Sequence, residues 1–204
     1  ATVGSGRRAR ELIFDYPDPR THRRHHPGGY RRYESYRPWL RDDFCFRCVY
    51  CLKRETWGTT IGEFDLDHFS PQSVSTSRTL DYLNLVYSCH RCNLVKSGHP
   101  VDDPLEYLTN RTVVSHLDGA ITGTDPETWK LILQLDLDSP VMRKWRHQWI
   151  RIVQLASDHD EELLEQLTRF PDDLPNLARR RPPTNNAPEG IPRSWHARRE
   201  RGEL

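Results

Sequence analysis

The sequence predicts an α+β fold: a small core of two strands and a helix, then a β-hairpin and C-terminal helices, with irregular basic arms at both ends. Three observations predict it. Two Cys-x-x-Cys hooks, at Cys48/Cys51 and Cys89/Cys92, bracket 37 residues that include the alternating, strand-like stretch Phe64-Asp65-Leu66-Asp67. An Asp118-Gly119 pair sits between β-branched residues, the signature of a tight hairpin turn. Asp125-Pro126 and Ser139-Pro140 each place a capping side chain before a proline, which is how helices begin.

The divisions that follow are an N-terminal arm over 1–41, a core over 42–100, a hairpin and helical extension over 101–170, and a tail over 171–204. At 204 residues, with 35% hydrophobic and 29% charged side chains, the chain suits one ordinary domain carrying segments outside its packed centre. No run of about 18 apolar residues exists, and the arginine-rich start is followed by no apolar stretch. These features argue against a membrane span or a secretory signal, so the expected location is cytoplasmic. The net charge of +1 hides an asymmetry. Residues 1–41 hold ten Arg against four acids and residues 178–204 seven against three, which leaves 13 basic and 22 acidic residues between them. Basic arms around an acidic body suit a polyanion such as nucleic acid, or else they embrace the body or a protein partner.

In the arm, Pro17, Pro19, Pro27 and Gly28-Gly29 precede Tyr30, Tyr33, Tyr36 and Trp39, interleaved with Arg31, Arg32, Arg37 and Arg41. Pro38 suits a first helical turn, with Trp39, Leu40 and Phe44 at helical spacing behind it. The aromatic and arginine residues could stack on bases and contact phosphates, or they could pack the arm onto the domain. After the first hook, Trp57 to Phe69 reads as a hairpin-like stretch through Thr59, Thr60, Ile61 and Gly62, and Ser73 to Thr79 as an exposed loop. Asn84 to Ser88 reads as the second strand and Arg91 to Lys96 as a short helix stopped by Gly98 and Pro100. Val113 to Ile121 is the hairpin. In the long helix after Ser139 the predicted buried face is Val141, Trp145, Trp149, Ile152, Val153, Ala156, Leu163, Leu164 and Leu167, with an interruption near Ser157 to Asp160. The Pro-, Asn- and Arg-rich tail from Pro171 lacks core residues and is expected to be flexible or held by a partner.

Five cysteines in two clusters fit metal binding in a reducing compartment better than a disulfide framework. Four thiolates from two hooks make a tetrahedron for Zn²⁺, and Cys48, Cys51, Cys89 and Cys92 are the expected ligands. Cys45 forms an overlapping Cys-x-x-Cys with Cys48, but its place at the end of the preceding apolar helix suits a buried thiol. A redox role needs βαβ surroundings that the flanks do not offer.

The segments FRCVYC, FDLDHFSPQS and DYLNLVYSCHRCNLVKSG, spanning roughly residues 44–100, resemble the ββα-metal finger of HNH endonucleases in the variety flanked by two Cys-x-x-Cys pairs. The resemblance implies an H-N-N variant. Asp67, His68 and Pro71 stand at the motif that supplies the general base, Asn84 at the residue that braces the loop, and Asn93 at the final metal ligand. It implies DNA phosphodiester hydrolysis with His68 as base and Mg²⁺ or Mn²⁺ on Asp67 and Asn93. The chemistry agrees: histidine titrates near neutrality, and carboxylate and amide oxygens suit a hard cation. Adjacent strand residues point to opposite faces, so Asp67 and His68 share a centre only if the strand ends there. On the helix, Asn93, Lys96 and Ser97 share a face, which makes Lys96 a candidate phosphate contact. Asp65, two residues before Asp67 on the same face, is an alternative or an assistant. His90 and His99 read as solvated loop residues.

The hairpin and tail helices also resemble extensions of free-standing bacterial HNH proteins, including nucleases that work beside an ATPase in antiviral defence. That resemblance implies double-stranded DNA as substrate and a regulatory protein partner. The competing expectation is a zinc-bearing nucleic-acid or protein-binding module whose nuclease centre has lapsed.

Overall fold

The computed structural model describes residues 13–16, 23–58, 64–74, 76–184 and 188–204. Several sequence expectations, among them Pro17, Pro19, Thr59, Thr60, Ile61, Gly62 and the loop residue Ser75, lie outside them. The described residues form an α+β chain with seven α-helices and two small antiparallel sheets.

The arm enters through a 3-10 turn at Tyr33–Tyr36 and becomes helix α1, Arg37–Asp43, with Pro38 in its first turn. Trp39, Leu40, Tyr36 and Phe44 are almost wholly buried, so this part of the aromatic cluster is core. The first hook follows as a knuckle. Cys45, Phe46 and Leu52 take positive φ, Cys48 N–H bonds to Lys53 O, and Leu52 N–H bonds to Cys48 O. Val49 N–H then bonds to Tyr87 O, fastening the knuckle to the sheet.

Strand β1, Phe64–His68, pairs antiparallel with β2, Leu85–Cys89, in the register Phe64↔Cys89 to His68↔Leu85. The second strand therefore starts one residue later than its pattern suggests. Asn84 belongs instead to a 3-10 turn, Tyr82–Asn84, whose Asp81 cap accepts from Leu83 N–H. Cys89 ends β2 and caps α2, His90–Lys96, which packs on both strands. The helix stops at Ser97, which has a φ of 53° and whose N–H bonds to Asn93 O, one residue before the expected glycine.

Beyond the core, α3 (Pro104–Tyr107) is a short helix that the sequence reading did not anticipate; Asp103 caps it by accepting from Leu105 N–H. The hairpin is β3, Thr112–Val114, with β4, Ile121–Gly123. At its tip Gly119 has a φ of 74°, and a Cβ there would lie 2.3 Å from Arg143 O, so glycine is required both for the turn and for close approach to the next helix. Helix α4, Pro126–Gln134, is capped by Asp125, which accepts from Thr128 N–H.

The long helix is α5, Pro140–His159, and Asp160 separates it from α6, Glu161–Thr168. The buried stripe of α5 differs from the expected one: Met142, Arg146, Ile150, Val153 and Ala156 face inward, whereas Val141, Ile152 and Leu163 are exposed. Arg146 accounts for part of the rotation. Its guanidinium is buried because it donates to Gly119 O and Leu137 O, tying the hairpin tip to α5, a use that hydropathy does not register. Trp145 and Trp149 are half-buried and close an aromatic cluster in which Trp57 stacks on Trp149 at 4.3 Å and Phe14 meets Trp57 and Trp145 edge-on.

The tail also departs from expectation, since it is seated on the body. Leu174 and Leu177 are buried, and the final helix α7, Trp195–Glu200, is docked through Trp195. Trp195 stacks on Phe170 at 4.2 Å, and its backbone N–H donates to Asp42 Oδ2 at 2.9 Å. Asp42 is wholly buried, and its other oxygen takes Arg24 at 2.8 Å and His25 at 2.9 Å. One carboxylate at the end of α1 thus gathers the N-terminal arm and the tail. Three apolar anchors, Leu174, Leu177 and Trp195, and one buried acid do what a longer hydrophobic run would otherwise do.

Candidate active site and metal centre

Each cysteine hook is local, and the β-sheet brings the two together. Cys48 and Cys51 sit at either end of the knuckle turn, and Cys89 and Cys92 span the end of β2 and the first turn of α2. All four are buried, and their sulfurs lie within 4.8 Å of one another. Cys51 Sγ and Cys89 Sγ are 3.6 Å apart. Zn–S bonds of about 2.3 Å in a tetrahedron set sulfur–sulfur edges of about 3.8 Å, so the cluster has the dimensions of a zinc site. Burial pushes the Cys48 thiol well above its ordinary range, while hydrogen bonds from the other three thiols hold Cys89 well below its own. A dry pocket that stabilises a thiolate in this way fits the chemistry of a soft-to-borderline cation. Cys45 stands outside the cluster and is half-exposed, with its sulfur 4.0 Å from Asp43 O.

The alternation of β1 sends Asp65 and Asp67 towards α2 and its neighbours. Asp67 is buried: Oδ1 accepts from Lys96 Nζ at 2.9 Å and Oδ2 from the Tyr50 hydroxyl at 2.7 Å. Burial, and then the charge of Asp67, push the Tyr50 phenol well above its usual range, which keeps it a donor. Lys96 is only 2% exposed. The expected phosphate contact is thus corrected by its placement. The ammonium is enclosed against Asp67, because a charge at that depth needs an opposite partner. Asp65 is half-buried, and its Oδ2 accepts from Asn93 Nδ2 at 3.0 Å and lies 2.9 Å from His90 Nδ1. His90, read from sequence as solvated, is exposed yet paired with Asp65, whereas His99 is exposed with no side-chain contact among the described residues.

His68 ends β1 and is 7% exposed. Its Nε2 lies 2.9 Å from Thr79 O. A carbonyl can only accept, so Nε2 carries the proton of the neutral ring and Nδ1 is left as the basic nitrogen. The Gln72 amide lies 3.5 Å from both ring nitrogens, and Tyr33 meets the imidazole edge-on with centroids 4.9 Å apart. Asn84, fully buried, clamps the intervening loop. Its Oδ1 accepts from Ser70 N–H at 3.0 Å, and its Nδ2 donates to Ser70 O at 2.9 Å and Arg78 O at 3.3 Å. Arg78 precedes Thr79, so the clamp fixes the carbonyl that orients His68.

The structure therefore sorts the expected residues into three groups: the four cysteines; Asp67 with Lys96; and Asn93 with Asp65. His68 stands apart, with no side-chain hydrogen bond to Asp67 or Asn93 among the described residues. Tyr50, Thr79, Gln72 and Tyr33 were missed at the site. Thr79 acts through its backbone and leaves no side-chain signal, while Tyr33 was visible only as one of several arm aromatics. As donors for a divalent cation, the Asp65 and Asp67 carboxylates and the Asn93 amide oxygen, which has no partner among the described residues, are chemically suitable.

Comparison with curated proteins and with solved structures finds no match. Residues 48–98, a quarter of the chain, match the family model described as HNH endonuclease. That span begins at the first cysteine hook, contains β1, β2 and α2, and carries the four-thiol cluster. Residues 48–98 are thus similar to HNH endonuclease domains, and the four-thiol cluster within them fits the zinc-binding variety.

Proposed function

We propose that the protein is a divalent-metal-dependent endonuclease hydrolysing phosphodiester bonds of double-stranded DNA, with His68 as general base. The observation that carries this reading is the orientation of His68: Nε2 is committed to Thr79 O at 2.9 Å, while the basic Nδ1 has only the exposed Gln72 amide at 3.5 Å, which water can displace. In the reaction Nδ1 takes a proton from water, the water oxygen bonds to phosphorus, and the P–O3′ bond breaks. The products are a 5′-phosphate and a 3′-oxygen that takes up a proton. Mg²⁺ or Mn²⁺ held by Asp67 and Asn93, with Asp65 beside them, would supply charge relief on the phosphate oxygens. Lys96 and Tyr50 hold the Asp67 carboxylate in place, and Asn84 holds the loop that aims His68.

We assign catalysis to residues 42–100 and partner or substrate contacts to the arms and to the 101–170 extension. Four thiols gathered for zinc suit a reducing compartment, the cytoplasm. A regulatory protein such as an ATPase, in an antiviral or restriction setting, would restrain a nuclease of this kind. Cleavage of supercoiled plasmid tests the core of the reading. Nicked or linear product is expected with Mg²⁺, none with EDTA, and about 10²–10⁴-fold less with His68→Ala; undiminished cutting by that variant would remove His68 from the mechanism.

A second reading is favoured by the enclosure of both key side chains, with Asp67 at 5% and His68 at 7% exposure. It is a zinc-bearing binding module whose nuclease centre has lapsed, and it predicts DNA or protein binding with no metal-dependent cutting.

A further inference from the structure

The arm presents one sequence pattern, arginines interleaved with aromatics, but the fold uses its members in two ways. Four arginines are consumed internally. Arg23 donates to Tyr82 O and Leu83 O, Arg24 pairs with Asp42, Arg37 donates to Phe64 O, and Arg41 pairs with Glu55 and Asp173. Tyr36 and Trp39 are core, and Tyr30 accepts at its hydroxyl from Trp39 Nε1. Among the described residues of the pattern, three consecutive ones remain. Arg31 is exposed with no ion pair among the described residues, and Arg32 has a side chain 78% exposed and only a 3.5 Å approach to the exposed Glu34. Tyr33 is half-exposed, its hydroxyl has no hydrogen-bond partner among the described residues, and its ring lies against His68.

That placement constrains what can reach His68. The imidazole is nearly enclosed, and Tyr33 and the exposed Gln72 amide stand against it. A water held by Nδ1 at about 2.8 Å, in line with a phosphorus about 3.3 Å further on, puts the attacked phosphate within about 6 Å of the base. Tyr33 has its ring centre 4.9 Å from the imidazole. It therefore lies within about 11 Å of any phosphate that His68 serves, with two exposed guanidinium groups immediately before it in the chain.

We propose that Arg31-Arg32-Tyr33 is a substrate-contacting element supplied by the arm, outside the matched domain. Tyr33 is the stacking platform for the nucleotide beside the scissile phosphate, and Arg31 and Arg32 neutralise the phosphates that follow. The inference rests on the nuclease reading for its substrate, and it assigns work to a segment that reading does not use.

The test is binding of the full, zinc-loaded chain to a short labelled DNA duplex, followed by fluorescence anisotropy without added divalent cation and across a salt series, with plasmid cleavage measured in parallel. Tyr33→Ala is expected to weaken binding about tenfold and Tyr33→Phe by less than about twofold, since the ring and not the hydroxyl makes the contact. Arg31→Ala and Arg32→Ala are each expected to lower the slope of log K against log salt by about 1. Zinc content and thermal midpoint check that each variant is folded. Unchanged affinity and slope in all the variants would overturn the contact, as would a Tyr33→Ala that cuts more slowly but binds as the parent does, because the ring would then only support His68. A parent protein that binds but never cuts ends the nuclease reading and leaves the contact standing. One that does not bind ends both.

Discussion

The cysteine cluster and, apart from Tyr33, the histidine pocket occupy the same fifty residues and are built in opposite ways. The staple draws four donors from two hooks, each a pair of cysteines three positions apart, all buried, all facing one another and closed to solvent. The pocket draws His68 from a strand end, a carbonyl from residue 79, an amide from Gln72 and a ring from Tyr33, joined by single hydrogen bonds and one ring contact. The first, with a metal ion on its four thiolates, would be held by metal–ligand bonds and would tolerate loose surroundings. The second is held by weak contacts between distant segments, and its geometry is only as good as the loop that connects them. Damage to the staple should therefore appear as unfolding, and damage to the pocket as lost activity in a folded protein.

The largest expected effect follows from removing zinc. A structural Zn²⁺ contributes roughly 10–16 kcal/mol of binding free energy at neutral pH, as much as or more than the roughly 5–15 kcal/mol by which a domain is stable. Cys89→Ser, or extraction with a strong chelator, is expected to abolish the cooperative thermal transition seen by circular dichroism, with zinc release followed by a colorimetric chelator. A transition that persists after confirmed zinc loss would show that the β1–β2–α2 unit holds itself together and would erase the contrast.

The next effect probes the buried pair under the pocket. Removing one partner of such a pair costs about 3–5 kcal/mol, because the other charge is stranded. Lys96→Met is expected to lower denaturant stability by that order, and adding Asp67→Asn to recover part of it, since no charge then remains. If Lys96 instead contacts phosphate in solution, Lys96→Met will leave stability unchanged and lower the salt slope of DNA binding. His68→Ala is the counterpart on the other side of the strand. It should leave zinc content and stability near those of the parent while cleavage falls.

These contrasts also separate what was readable in the sequence from what was not. The hooks were readable because each is a local pattern with a fixed chemical meaning, and the strand, strand and helix between and after them follow from alternation and capping. Helix starts at Pro38, Pro126 and Pro140 were readable for the same reason. The partners of the site were not. Asp67 finds Lys96 and Tyr50, and Asn93 finds Asp65, through the angle at which α2 crosses β1, which no spacing rule encodes. Thr79 contributes only backbone. The tail was misread because its anchors, Leu174, Leu177 and Trp195, are scattered among prolines and arginines, and because a buried Asp42 supplies the rest of its attachment. The α5 face was misread because Arg146 is polar by residue type and buried by function.

The smallest effect is expected at Asn84, which belongs to neither extreme, being as buried as the cysteines yet acting only through hydrogen bonds. Asn84→Asp keeps an acceptor for Ser70 N–H but turns a carboxylate oxygen towards the carbonyls of Ser70 and Arg78, where an amide N–H now sits. Leaving those carbonyls unsatisfied should cost about 1–3 kcal/mol, a downward shift in the denaturation midpoint without loss of zinc. The effect on cleavage should be larger than the effect on stability, because Thr79 O follows Arg78 in the chain and a loosened loop lets the His68 ring turn. Asn84→Leu discriminates further. It adds no charge but leaves Ser70 N–H unsatisfied as well as both carbonyls, so cleavage should again fall and stability should fall at least as far as for Asn84→Asp. Parental cleavage rates in both variants would mean that the Thr79 carbonyl is held by other contacts and that the pocket is stiffer than its hydrogen bonds imply.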